Sequence, residues 1–135
     1  MSKMATSEIM LEETPYLNLT TRGRKTGLRH SVELWFAYEE GRLLFLAHED
    51  SSWWKNIAMT PRVEVEVSEI LFQGKGRLAP ERLEHVFALF RKKYGPSQVE
   101  RWYGEQRGER KSVEIELEKV LGKRPISKLS MEIST

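Results

Sequence analysis

The sequence predicts a mainly β protein, six antiparallel strands closed into a small barrel with a few helices. Three observations lead there. Six segments have strand composition, bounded by turn residues. Most links between them are too short for a right-handed crossover, so sequential strands must pair antiparallel. Closure is then the simplest way for such a sheet to remove its exposed edges. A barrel of this size fills its interior with side chains, so a sizeable ligand has to lie outside it, in a groove or between subunits.

Residues 7–13 predict a short N-terminal helix. Tyr16–Thr21 is the first strand, with Leu17 and Leu19 on one face, and RGRKTG supplies two glycines and several cations, a hairpin loop. Arg29–Tyr38 (RHSVELWFAY) is the second strand. Its apolar residues fall on both faces, which predicts burial on both sides by a partner layer or a second subunit. EEG at 39–41 turns into the third strand, Arg42–His48, equally apolar. In EDSSWWKNIAMTP, Asp50, Ser51 or Ser52 can cap a helix that Pro61 ends. The fourth strand alternates cleanly, Val63, Val65 and Val67 inward and Arg62, Glu64 and Glu66 outward. Ser68–Glu69 reverses the chain into the fifth strand, Ile70–Leu78, where Gly74 and Gly76 predict a bulge or a close backbone approach. Pro80 opens an amphipathic helix to about Tyr94, with Leu83, Val86, Phe87 and Phe90 on one face, and Gly95-Pro96 breaks it. A helical piece at Gln98–Tyr103, a charged loop GEQRGERK, a sixth strand at Ser112–Leu117 and an irregular tail after Gly122 complete the chain.

The 135 residues suit one domain, with 1–14 as an N-terminal extension and 123–135 as a tail. Hydrophobic residues at 39% and charged residues at 31% place the chain with globular proteins rather than disordered ones. No run could span a bilayer, and MSKMATSEIMLEE has acids where a secretory signal needs an apolar stretch, so the cytoplasm is the expected location. The absence of cysteine excludes disulfides, thiolate nucleophiles and zinc–cysteine clusters. Chemistry must therefore come from oxygen and nitrogen side chains or from a borrowed cofactor.

A net charge of +2 is no argument for nucleic acid, but its distribution is informative. Arg22, Arg24, Lys25 and Arg29 cluster without an acid, which suits a small anion better than a long polyanion. Within Gly23-Arg24-Lys25-Thr26-Gly27, the glycines let backbone N–H groups converge, while the cations and the hydroxyl add charge and a donor. The turn is either a phosphate site or a solvated hairpin. Adjacent Trp53 and Trp54 cannot both face one core on a helical period, so one lines a groove or an interface, or the helix simply caps a barrel end. His30, His48 and His85 form no metal pattern. Glu81 and His85, four apart on a helix, read as a surface ion pair rather than two ligands. His48, just before the Trp helix, is the candidate for contact with a bound ring or substrate, with a capping or surface role as its alternative. No residue is assigned catalysis by spacing: there is no Ser/His/Asp set, Walker loop or dinucleotide fingerprint.

LTTRGRKTG, HSVELWFAY, EEGRLLFLA, the Trp-Trp-Lys-Asn-Ile helix and TPRVEVEV together resemble the deazaflavin-dependent nitroreductase/quinone reductase family. That family lies within the split-barrel flavin-binding group of pyridoxamine-phosphate-oxidase-like proteins. The resemblance covers residues 16–68 and, by element order, the remainder. It implies a split barrel, a homodimer, and a cleft beside the barrel for the deazaflavin coenzyme F(420) or FMN. By that likeness the basic cluster from Arg22, and within it Arg24, Lys25, Thr26 and Gly27, would hold the cofactor phosphate. Backbone from Leu46 through Ala47 to His48 would border the ring, and Trp54 with Asn56 would close the site. Two departures keep FMN open beside the deazaflavin. His30 stands where many relatives carry arginine, and the acidic His48-Glu49-Asp50 replaces a Ser-Lys-Gly-rich loop, a poor neighbour for a polyglutamate tail.

The implied reaction is hydride transfer from the reduced cofactor to a small electrophile such as a quinone or nitro compound. The ring carries the chemistry, and the protein positions it and excludes water. Two rival readings are a cofactor carrier without turnover and a small-barrel binder of single-stranded nucleic acid, the latter opposed by the acidic strand face of Glu64 and Glu66.

Overall fold

A computed structural model describes residues 10–104 and 109–123 of the chain. Seven strands form one sheet: β1 (Leu17–Arg22), β2 (Arg29–Leu34), β3 (Ala37–Glu39), β4 (Arg42–His48), β5 (Arg62–Val67), β6 (Ile70–Leu78) and β7 (Arg110–Lys123). Their spatial order is β2-β1-β5-β6-β7-β4-β3, every neighbouring pair antiparallel. The sheet curls into a half-barrel. Helix α1 (Ser52–Met59) links β4 to β5, while a 3₁₀ turn at Pro80–Arg82, α2 (Leu83–Tyr94) and α3 (Pro96–Tyr103) lie between β6 and β7. Residues 10–13 are helical; the rest of the predicted N-terminal helix, residues 105–108 of the charged loop and the tail from residue 124 lie outside the described residues.

The concave side of the sheet holds the main core. Leu19, Phe45, Val65, Ile115 and the other inward residues meet Ile57 and Trp53 of α1, and Trp53 sets its ring edge-on to Phe45, centroids 5.7 Å apart. The alternation predicted for β5 is present, with Val63, Val65 and Val67 buried. β4 is apolar on both sides because both are covered. Leu43, Phe45 and Ala47 enter the main core, while Leu44 and Leu46 meet Val86 and Phe90 of α2 in a second one. Each such large side chain withdrawn from water contributes about 1.5–3 kcal/mol.

The second predicted strand is two strands, not one. At its middle Trp35 stacks on Tyr94, centroids 4.1 Å apart, and the Phe36 N–H donates to the Tyr94 hydroxyl at 3.0 Å, which takes this backbone out of the ladder. Its first half, β2, is an edge strand whose residues are mostly exposed, so burial on both faces does not occur within the chain. β7 is longer than the predicted sixth strand and reaches β6 along its whole length, with register shifts between Leu71 and Phe72 and between Gln73 and Gly74. The close approach predicted at the two glycines is real. A Cβ on Gly74 would stand 2.8 Å from Ile115 Cγ2, and one on Gly76 2.9 Å from Ile57 Cγ2. No described helix is long and apolar enough to cross a membrane.

Candidate functional site

The β1–β2 hairpin is locked by its own backbone. The Gly23 N–H donates to the Leu28 carbonyl at 2.7 Å, and the Gly27 N–H to the Gly23 carbonyl at 2.8 Å. Gly27 takes φ +77°, the left-handed region that glycine enters without strain. The Thr26 hydroxyl accepts from the Leu28 N–H at 3.1 Å, and Arg22 Nη1 donates to the Gly27 carbonyl at 3.0 Å.

Asn56 fastens this hairpin to α1. Its Oδ1 accepts from the Arg24 backbone N–H at 3.2 Å and from Arg24 Nη1 at 3.0 Å, while its Nδ2 donates to the Thr21 hydroxyl at 3.0 Å. Asn56 is only 3% exposed and Thr21 only 2%, so the carboxamide is a buried polar clasp with its bonds made. The start of α1 is left open: Ser51 holds the N-cap position, yet its hydroxyl makes no capping bond, and the first turn carries no acid.

Between hairpin and helix lies a cavity of about 520 Å³. The hairpin contributes Gly23, Arg24, Lys25 and Thr26, β2 contributes His30, Ser31 and Val32, and the start of α1 contributes Ser51, Ser52 and Trp53, with Thr21 and Asn56 at the back. No aspartate or glutamate lines it. Cations, hydroxyls and the positive end of a helix converge on one space, which is the donor set an anion requires. A Cβ on Gly23 would sit 2.9 Å from His30 Nε2 and 3.0 Å from Thr26 Oγ1, so glycine keeps this wall open. Phosphate chemistry fits these residues, and Val32 with Trp53 offers an apolar surface to a flat ring. The acidic loop does not spoil the fit: neither Glu49 nor Asp50 lines the cavity, and Glu49 Oε1 accepts the Glu109 N–H at 2.9 Å.

Of the residues singled out in the sequence, Arg24, Lys25, Thr26 and Asn56 are brought together here. Gly27 shapes the turn from behind. Arg22 belongs to the opposite face of the sheet. Leu46 and Ala47 are buried in the two cores. His48 stacks on Tyr103, centroids 5.3 Å apart and planes 14° from parallel. Trp54 turns away from the cavity, its indole N–H donating to the His48 and Glu49 carbonyls at 3.1 and 3.2 Å, and Trp53 takes the place beside the cavity instead. Thr21, His30, Ser31, Val32, Ser51 and Ser52 join the site without having been assigned to it. The hairpin register Thr21↔His30 would have signalled two of them, since it puts both on the inward face.

Elsewhere charges pair with one another. Glu114, 5% exposed, receives Arg42 Nε at 3.1 Å and Arg77 Nη2 at 2.7 Å. Arg82 bonds Glu39 at 2.8 Å. The predicted Glu81–His85 pair does not form. Arg77 takes Glu81 at 2.7 Å, and His85 Nε2 lies 2.9 Å from Glu39, whose pKa this bond, foremost, lowers. Among the described residues no three His, Asp or Glu side chains are grouped to hold a metal.

The architecture is that of a split barrel. The fold is shared with General Stress Protein 26 of Bacillus anthracis (TM-score 0.71, 15% identity, 93% of this chain on 96% of that one). It is also shared with a FAD-binding protein of Mesorhizobium loti (0.66, 18%, 89% on 91%) and with an F(420) reductase (0.64, 18%, 84% on 94%). At these identities the likeness is one of fold. No curated protein matches the sequence. The chain belongs to the F(420)H(2)-dependent quinone reductase family, whose model matches residues 2–106.

Proposed function

We propose that this chain is a deazaflavin-dependent oxidoreductase that reduces a small electrophile, a quinone or a nitro compound, with the coenzyme seated between the β1–β2 hairpin and α1. The observation that carries the reading is the acid-free cavity in which Arg24, Lys25, Thr26 and the open start of α1 converge. In this reading Lys25, exposed and unpaired among the described residues, and the hydroxyls of Ser51 and Ser52 take the phosphate. Arg24 adds charge while Asn56 holds it in place. Val32 and Trp53 form a dry wall for the ring, and no side chain has to act as a general base. When bound, the reduced deazaflavin supplies the hydride, and the protein supplies orientation and exclusion of water.

Titration of the purified chain with F(420) and, separately, FMN, followed by absorbance and fluorescence, tests this. Micromolar binding of F(420) with reduction of a quinone acceptor is expected. Arg24→Ala with Lys25→Ala should weaken binding by tenfold or more, the loss of about 1.5–3 kcal/mol per charged hydrogen bond. Binding that this pair leaves unchanged refutes the phosphate placement. Binding without turnover on any acceptor leaves the carrier reading, and preference for FMN reassigns the cofactor.

A further inference from the structure

The convex face of the same hairpin carries a second set of cations. Register sets Arg22 opposite Arg29 across β1–β2 and Arg62 opposite Lys75 across β5–β6. The β1–β5 pairing of Thr20 with Glu64, continued two residues, sets Arg22 beside Arg62. Four cations therefore stand in one row on four adjacent strands, all exposed, spanning about 14 Å at roughly 4.8 Å per strand. Like charges directly opposite in a ladder destabilise it. Of the four, Arg29 has an acid, Glu64, and Arg22 has the Gly27 carbonyl. Arg62 and Lys75 make no ion pair or side-chain hydrogen bond among the described residues. A hollow of about 190 Å³ opens where the row is densest, lined by Arg22, Arg29 and Arg62, by the hydroxyl-bearing Thr20 and Thr60, and by one acid, Glu64, which Arg29 already pairs, leaving Arg22 and Arg62 as its cations without an acid.

We propose that this hollow is a second anion site, distinct from the cofactor cavity, for a compact ligand bearing several anionic oxygens, of the oligophosphate or polycarboxylate class. Such a ligand relieves the repulsion within the row and finds hydroxyl partners beside it. The hollow is too small for a ring system with its phosphates, and Glu64 in its wall with Glu66 beyond it on β5 opposes any broad polyanionic ligand. The site stands whether or not the cofactor reading holds, since it uses neither Lys25 nor α1.

Calorimetric titration of the full chain carrying Arg24→Ala and Lys25→Ala, with inorganic triphosphate and separately with citrate, isolates this site. At least one is expected to bind, and adding Arg62→Gln should weaken it tenfold or more, with Arg62→Lys retaining most of it. Triphosphate alone would mark phosphate chemistry, citrate alone carboxylate chemistry. In low salt without either anion, Arg62→Gln in the otherwise unaltered chain should raise Tm by a degree or more, since one member of a self-repelling row is gone; that rise also shows the variant folded. Failure of both anions to bind at millimolar concentration, binding indifferent to Arg62→Gln, or a fall in Tm overturns the proposal.

Discussion

The two ends of the molecule treat charge in opposite ways. Under α2, the carboxylate of Glu114 gathers Arg42 and Arg77, Arg82 turns to Glu39, and His85 joins it, so each of these ions has a counter-ion in the same chain. Around the β1–β2 hairpin, Lys25 and Arg62 have none among the described residues, and the buried polar pair of Asn56 and Thr21 serves to hold the hairpin still. Charges at the first end close the structure on itself. At the second, Arg29 meets Glu64, while Lys25 and Arg62 are exposed without an acid among the described residues.

The sharpest way to break this comparison is Glu114→Ala. Removing the acid that several arginines share should cost about 3 kcal/mol of stability by urea denaturation, the low end for a buried ionic partner because the arginines left behind reach solvent. A loss below about 1 kcal/mol would mean that these pairs add little to the joining of β7 to β4 and β6. Asn56→Ala comes next. It should cost about 2 kcal/mol, the penalty of leaving the buried Thr21 hydroxyl and the Arg24 N–H without their partner, and should also weaken cofactor binding although Asn56 need not touch the phosphate. Stability lost with affinity unchanged would separate the clasp from the site.

The smallest effect is a pH dependence at the α2 end. Lys93 donates to the Phe36 carbonyl at 2.9 Å and lies 3.8 Å above the Phe36 ring. Burial pushes its pKa from 10.5 down to about 8, with Glu12 opposing the shift. Between those values the unfolded chain holds a proton that the folded chain has released, so stability rises with pH through about 8 to 10. Above 10 burial acts on Tyr103, raised to about 12, and on Tyr94, also raised. Their retained protons then make stability fall. Denaturation midpoints measured from pH 7 to 11 should trace this rise and fall, and Lys93→Met should flatten the rising limb alone.

Most of the fold was legible because its signals were local. The alternation of β5, Pro61 after α1 and Gly95-Pro96 after α2 each depend on neighbours in sequence. What escaped depended on partners far along the chain. The break at Trp35–Phe36 follows from Tyr94, nearly sixty residues away, and a run apolar on both faces offers no alternation to interrupt. The true length of β7 follows from its pairing with β6, which overrode a composition of alternating charges. At the site, the hairpin was readable from glycines and cations. Its other wall, Ser51, Ser52 and Trp53, was not, because serines before a helix look like caps and only the folded chain shows the cap bond unmade.

Gly76 lies on β6 beneath α1, and its missing side chain is what lets Ile57 descend between the strands. Ile57 is the residue after Asn56, so any methyl added at Gly76 would lift the helix and drag the carboxamide off the hairpin. The tolerance of the cavity-facing surface to mutation is thus set partly from the floor of the barrel. Screens that look only at residues bordering the cavity would overlook one of its determinants.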